Sequence, residues 1–240
     1  MHYEICVMSF LLKKYLTAFS HLFYPHNCEG CGTDTLADDY FLCTRCLHKL
    51  PETGFFGKEA NPVEKLFYGR LNITNAAAAF YFTKNSLLQH VLVQLKYKSN
   101  KESGYFFGKM MGYALLQTER FNQTDILVPL PLNPKKEYLR GYNQAALICE
   151  GISEVWHKPV CADAVTRIRF TETQTHQNRV SRWQNMEGVF RVTRPEALKN
   201  KHILLIDDVI TTGATLEACG SSLLEIEVAS VNIAAAAYTV

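Results

Sequence analysis

The sequence predicts an α/β fold, a parallel sheet flanked by helices, with a small cysteine-organised segment ahead of it. Two observations carry the first part. Uninterrupted apolar runs, ILVPLPL (126–132) and HILLID (202–207), alternate with amphipathic helical segments. That is the pattern of strands buried on both faces and joined by crossover helices. A third observation carries the second part: four of the eight cysteines crowd into residues 28–46. With 240 residues and 48% hydrophobic composition the chain can bury a full core. Its net charge of +2 announces neither a nucleic acid nor a membrane partner. Three segments are expected: an amphipathic helix over 1–27, a cysteine knuckle over 28–50, and an α/β domain over 71–240.

Along the first segment Phe10, Leu11, Leu12, Tyr15, Leu16, Phe19 and Phe23 recur at helical spacing. Such a stripe predicts a helix docked on the protein body, with a membrane-surface role as the alternative. Lys13, Lys14 and His21 interrupt it, and no stretch of the chain approaches the ~20 apolar residues of a spanning helix. A cytoplasmic protein with no membrane span is expected.

Residues 28–46 read CEGCGTDTLADDYFLCTRC, two CxxC pairs separated by eleven residues. Each CxxC turn points two thiolates at one point, with Gly30 and Gly32 easing the backbone. Cys28, Cys31, Cys43 and Cys46 would close a tetrahedral sulfur site suited to structural Zn²⁺, a zinc ribbon. A disulfide pair and a redox CxxC are the alternatives, but redox chemistry does not need the duplicate and nothing indicates secretion.

In the body, 72–82 reads as extended, and LLQHVLVQLKY (87–97) as a helix with Leu88, Val91, Leu92 and Leu95 on one face. Gly104, Gly108 and Gly112 form a helical stripe that predicts close packing against another helix. ILVPLPL is a strand. NQAALICEGIS is a helix facing inward with Ala145, Ile148, Cys149 and Ile152. HILLID is a strand, followed by the helix TLEACGSSLLEI and the strand ASVNIAAAAY.

The second buried strand runs on as ILLIDDVITTGAT (203–215). In open α/β sheets ligands bind beyond the carboxyl ends of the strands. A Thr/Gly turn opening a helix offers backbone N–H groups to an anion, and Thr211, Thr212 and Thr215 add hydroxyls. Asp207 and Asp208 are too close to that anion to bind a second one. They are placed to accept hydrogen bonds from sugar hydroxyls, as in a ribose 5-phosphate, at a solvent-facing strand end. Gly213 is expected to let the backbone approach the phosphate, so that a valine there blocks it. Neither GxxxxGK[ST] nor GxGxxG is present.

IDDVITTGAT resembles the 5-phosphoribosyl-1-pyrophosphate (PRPP) motif of type I phosphoribosyltransferases. The whole arrangement resembles the bacterial competence protein F (ComF) family. The likeness runs through LFYPHNCEGCG, LCTRC, LKY at 95–97, VPLPL and RGYNQA within 128–146, then Gln174, Arg182, Asn185 and Phe190. It implies a type I phosphoribosyltransferase-like sheet with PRPP held by Asp207, Asp208, Val209, Thr211, Thr212, Gly213, Ala214 and Thr215. It further implies a pyrophosphate loop at Pro129, Leu130 and Pro131, continuing to Leu132, with Mg²⁺ carried in on the PRPP. Catalytic roles would fall to Asp207, Asp208 and Arg182. Family members often carry a glycine near LLEIEVAS, and this chain has none.

Between the two buried strands lies a polar segment containing Arg169, His176, Arg179 and Arg182, readable as a lid over pyrophosphate or as an ordinary basic loop. Two other function classes remain open: a PRPP sensor without turnover, and a single-stranded-DNA-binding partner of DNA-uptake proteins using the ribbon with Lys135, Lys136, Arg140, Arg179 and Arg182.

Overall fold

The structure is a computed structural model that describes residues 27–34, 40–97, 100–168 and 188–239. The expected helix over 1–27, all but its last residue, and the residues Arg169, Gln174, His176, Arg179, Arg182 and Asn185 therefore lie outside the described residues. The chain divides into two compact units, one ending at Lys49 and one beginning at Leu50. Among the described residues of the first unit there is one short helix, α1 (Thr44–Leu47), which starts directly after Cys43.

The second unit is built on a four-stranded, all-parallel sheet of order β1-β6-β5-β2. Its strands are β1 (Ala76–Phe82), β2 (Ile126–Pro129), β5 (His202–Ile210) and β6 (Ser230–Thr239). Ile203 to Ile206 of β5 and Val231 to Ala237 of β6 are all buried, as strands covered on both faces must be. Parallel pairing requires crossovers. These are supplied by α3 (Leu87–Tyr97) and α4 (Lys101–Leu116) before β2, by α5 (Pro134–Arg140) and α6 (Gln144–Trp156) after it, and by α8 (Ala214–Leu224) between β5 and β6. The glycine stripe of α4 packs on α6 as expected. A Cβ at Gly104 would stand 2.6 Å from Leu147 Cβ, one at Gly108 2.7 Å from Gly151 Cα, and one at Gly112 2.9 Å from Val155 Cβ. Side chains there would force the helices apart.

Three features were not legible. β3 (Val165–Arg167) and β4 (Phe190–Val192) pair antiparallel, closing the two ends of the polar segment that the sequence offers as a lid or loop. α5 buries none of its residues, so no apolar stripe announces it; Asn133 caps it and Pro134 opens it. The short helices α2 (Pro62–Lys65) and α7 (Pro195–Leu198) likewise begin on prolines.

Residues 50–75 pack on β1 and are held by one guanidinium. Arg120 Nη1 donates to the carbonyls of Phe55 (3.1 Å), Phe56 (3.1 Å) and Lys58 (2.8 Å). Its Nη2 bonds Asn75 Oδ1 at 3.0 Å and pairs with the buried Glu64. Asn61 caps α2 and donates to Lys58 O (2.9 Å) and Ala76 O (2.7 Å). The helix exit near LLEIEVAS closes without a glycine because Glu227 itself adopts φ 58°. Its carboxylate pairs with Lys199 at 2.8 Å, which holds that pair below and above their ordinary pKa values respectively.

Candidate functional site

β5 extends three residues beyond the apolar run, to Ile210, so Asp207 and Asp208 lie within the strand and not past its end. Both are half-buried where solvent exposure was expected. Asp208 Oδ2 is 2.7 Å from Lys96 Nζ, and the backbone N–H of Asp208 donates to Asp207 Oδ1 at 2.8 Å. Burial, and then the neighbouring Asp208 carboxylate, push Asp207 up to about 8.

The two aspartates face a cavity of about 200 Å³. Leu130, Pro131 and Leu132 line it, and Lys96, Lys136, Arg140 and Arg167 bring four cationic side chains to it. Thr215 lines it from the first turn of α8. Pro129 is the last residue of β2, and the Leu130 N–H donates to Ile206 O at 2.8 Å, seating that segment beside β5. Val209 and Ala214 are half-buried, and Thr211 and Thr212 are exposed on the turn. Gly213 caps α8 at φ 73°, and a Cβ there would meet the Phe67 ring at 3.0 Å. The glycine is thus required by backbone handedness and by the ring behind it, a different reason from the approach of a phosphate.

The RGYNQA run (140–145) forms a wall of the cavity through Arg140, Asn143, Gln144 and Ala145. Gly141 takes φ 78° and ends α5. Tyr142 Oη donates to Leu95 O at 2.6 Å, fastening the wall to α3 one residue before Lys96. Asn143 caps α6 by accepting from Ala145 N (2.9 Å) and donates to Leu130 O (2.9 Å). Gln144 Oε1 accepts from Arg140 Nη1 at 2.8 Å, while its buried Nε2 has no hydrogen-bond partner among the described residues. Arg167, from β3, stacks on Phe190 of β4 with 5.6 Å to the ring centroid. Burial lowers its pKa and the charge of Asp207 opposes that shift. LKY, RGYNQA and Phe190 enter the sequence reading through the family resemblance alone, and Arg167 is not visible in it, because an arginine in a three-residue strand carries no pattern. A larger cavity of about 570 Å³ borders Glu64 and residues 68–74. Its two charged side chains, Glu64 and Arg70, are ion-paired with Arg120 and Glu217.

In the first unit the Sγ atoms of Cys28, Cys31, Cys43 and Cys46 all lie within 4.8 Å of one another, and those of Cys31 and Cys43 are 3.7 Å apart. Four sulfurs at about 2.3 Å from a tetrahedral Zn²⁺ would be roughly 3.8 Å apart, so the donor set fits that ion. The backbone N–H groups of Cys43 (3.2 Å) and Gly30 (3.4 Å) donate to Cys28 Sγ. Burial raises the Cys28 thiol, but these donors outweigh it and hold the group at about 6. Cys46, buried and facing that thiolate, is pushed up to about 12.

Residues 152–239 match the phosphoribosyl transferase domain family. The chain is 28% identical over 209 residues to the DNA utilization protein YhgH of Escherichia coli K12, covering 86% of this chain and 81% of that protein. It is 29% identical over 118 residues to competence protein F of Haemophilus influenzae, covering 49% of this chain and 52% of the relative. It is 28% identical over 144 residues to competence protein ComFC of Bacillus subtilis, covering 60% and 56%. Among solved structures, the glutamine PRPP amidotransferase of B. subtilis aligns with a TM-score of 0.40 at 16% identity, over 57% of this chain and 26% of that one. The parallel sheet flanked by helices and the matched domain define a phosphoribosyltransferase-like α/β protein with an N-terminal tetra-cysteine cluster. Within that class, the chain is similar to the competence and DNA utilization proteins named above. Among the described residues no helix is long and apolar enough to cross a membrane.

Proposed function

We propose that this chain binds PRPP with Mg²⁺ at the carboxyl end of β5 and transfers its phosphoribosyl group, in a cytoplasmic role linked to DNA uptake. The observation that supports this most is the meeting of a carboxylate pair, a helix N-terminus and four cations around one small cavity. A sugar with a phosphate at one end and a pyrophosphate at the other requires that distribution of charge. In this reading Asp207 and Asp208 accept the ribose hydroxyls, and Val209 to Thr215 form the cradle for the 5-phosphate. The segment Pro129 to Leu132, with Lys136, Arg140 and Arg167, faces the pyrophosphate, and Arg182 is assigned to the same leaving group. The two carboxylates are hard oxygen donors that would suit Mg²⁺, and the ion would supply neutralisation of the pyrophosphate charge. Lys96 holds Asp208 in place until the ligand's hydroxyls compete for it, and Asp207 gives up its proton as the ligand arrives. The four cysteines hold a structural Zn²⁺, in a compartment where thiols stay reduced. The names of the relatives, DNA utilization and competence proteins, support the link to DNA uptake. Calorimetry with Mg²⁺–PRPP, followed by assay of pyrophosphate release with candidate bases or DNA, tests the reading. Absence of PRPP binding at millimolar concentration would sink it, and binding without release would leave a PRPP sensor.

A second reading, contact with single-stranded DNA, is favoured by α5. Tyr138 (88% exposed) and Leu139 (75%) stand on it beside Lys135, Lys136 and Arg140. An exposed aromatic ring among cations is the unit on which bases stack while phosphates are neutralised. Tyr138→Ala should weaken oligonucleotide binding, measured by fluorescence anisotropy; an unchanged affinity would remove α5 from such a contact.

A further inference from the structure

The turn that would receive the 5-phosphate is fastened from behind by a residue far away in sequence. Arg70, in the loop after α2, donates from Nη1 to Leu66 O at 2.9 Å and to Thr212 O at 3.0 Å. Its Nη2 pairs with Glu217, a buried residue of the first turn of α8. The same loop supplies Phe67 behind Gly213 and Leu71, whose Cδ2 would stand 2.6 Å from a Cβ at Gly220.

Two electrostatic consequences follow. A peptide unit is planar and trans, so holding the Thr212 carbonyl toward Arg70 turns the Gly213 N–H to the opposite side. The carbonyl, which would repel an anion, is taken out of the turn's working face. Glu217 poses a second problem, because its carboxylate occupies the positive end of the helix that is meant to attract a phosphate. An uncompensated negative charge there would oppose the ligand, and the guanidinium of Arg70 cancels it. We propose that Arg70 is the positioning residue of the anion turn, orienting the Thr212–Gly213 peptide and neutralising Glu217 so that a sugar 5-phosphate can bind at the N-terminus of α8. This rests on the PRPP reading above.

The test compares wild type with Arg70→Met, Arg70→Lys and Glu217→Gln by calorimetry, using Mg²⁺–PRPP and ribose 5-phosphate, which lacks the pyrophosphate. Melting temperatures are recorded alongside. Arg70→Met should weaken both ligands by the same factor, about five- to thirtyfold for one charge at a helix terminus. Arg70→Lys should recover part of that loss. Glu217→Gln is the discriminating variant: it should melt lower than wild type yet bind ribose 5-phosphate more tightly by a few fold, since a negative charge has left the turn. A merely structural ion pair would lose stability and affinity together. Unchanged affinity in Arg70→Met, or in Arg70→Lys and Glu217→Gln should that variant not fold, overturns the inference and leaves the PRPP reading standing. So does a loss confined to PRPP. If wild type binds neither ligand, both readings fall.

Discussion

The two chemically marked regions of this protein are built in opposite ways. The cysteine cluster takes all its donors from nineteen consecutive residues, 28–46, and has few apolar side chains around it, with Phe41 and Leu42 buried. The β5 site draws on α3, β2, α5, α6, β3, β5 and α8, and rests on a sheet whose central strands bury Ile203 to Ile206 and Val231 to Ala237. The first is a site that makes its own fold, and the second is a fold that makes a site. Removal of a ligand should therefore unfold the one and leave the scaffold of the other intact.

The largest expected effect breaks the first half of that comparison. Cys46→Ser, or chelation of the metal, should abolish about one Zn²⁺ per chain and the fold of residues 27–34 and 40–49, because structural zinc contributes on the order of 10 kcal/mol to such segments. Metal analysis and limited proteolysis read this out. Residues 50–240 should keep their melting transition, and a collapse of both together would mean that the regions are not independent.

The second half is tested at the aspartates. Asp207→Asn with Asp208→Asn should lower PRPP affinity at least tenfold to a hundredfold, at roughly 1.5–3 kcal/mol for each charge-assisted hydrogen bond. The fold should survive. Calorimetry measures the first and circular dichroism the second.

Asp207 also predicts a pH dependence whose sign can be worked out. Its folded value of about 8 lies above the ordinary carboxylate value near 4, so the folded state binds the extra proton between those limits. Stability should fall as pH rises from about 4 to 8, and Asp207→Asn should remove that slope. A ligand that requires the ionised form should bind more tightly as pH rises toward 8, by up to about tenfold per unit, and release close to one proton at pH 7. Calorimetry in buffers of different ionisation enthalpy counts that proton; none released would mean Asp207 binds as a neutral donor.

Gly213→Val should cost about 1–3 kcal/mol of stability, from its left-handed backbone and the Phe67 ring, before any ligand is added. The smallest effect belongs to Glu227→Gly, which removes a left-handed non-glycine residue and an exposed ion pair together. It should shift the melting temperature by only a few degrees, upward if backbone strain outweighs the added freedom of the unfolded chain.

This contrast also explains what the sequence let one read. The CxxC pairs and the IDDVITTGAT run are local, so their residue spacing is their geometry. Lys96 meets Asp208 across more than a hundred positions, and Arg70 meets Glu217 across 147. No periodicity encodes such a pairing. α5 escaped because a helix with no buried face has no stripe, and β3 and β4 because three residues are too few to show alternation. The carboxylates were expected to face solvent because an acidic pair after an apolar run looks like a strand end; the strand in fact continues through Val209 and Ile210, and burial follows.

The guanidinium of Arg120 has a consequence for the order of folding. Residues 55–64 take their path from a side chain about sixty positions later, through three carbonyls and one carboxylate. Closing a loop of that length spends chain entropy before any of those bonds can form. The segment should therefore settle late, after α3 and α4 have brought Arg120 home. In pulse-labelling hydrogen exchange its amides should gain protection after those of β5 and β6, and an Arg120→Met chain should leave that stretch of backbone exchanging freely around an otherwise protected sheet.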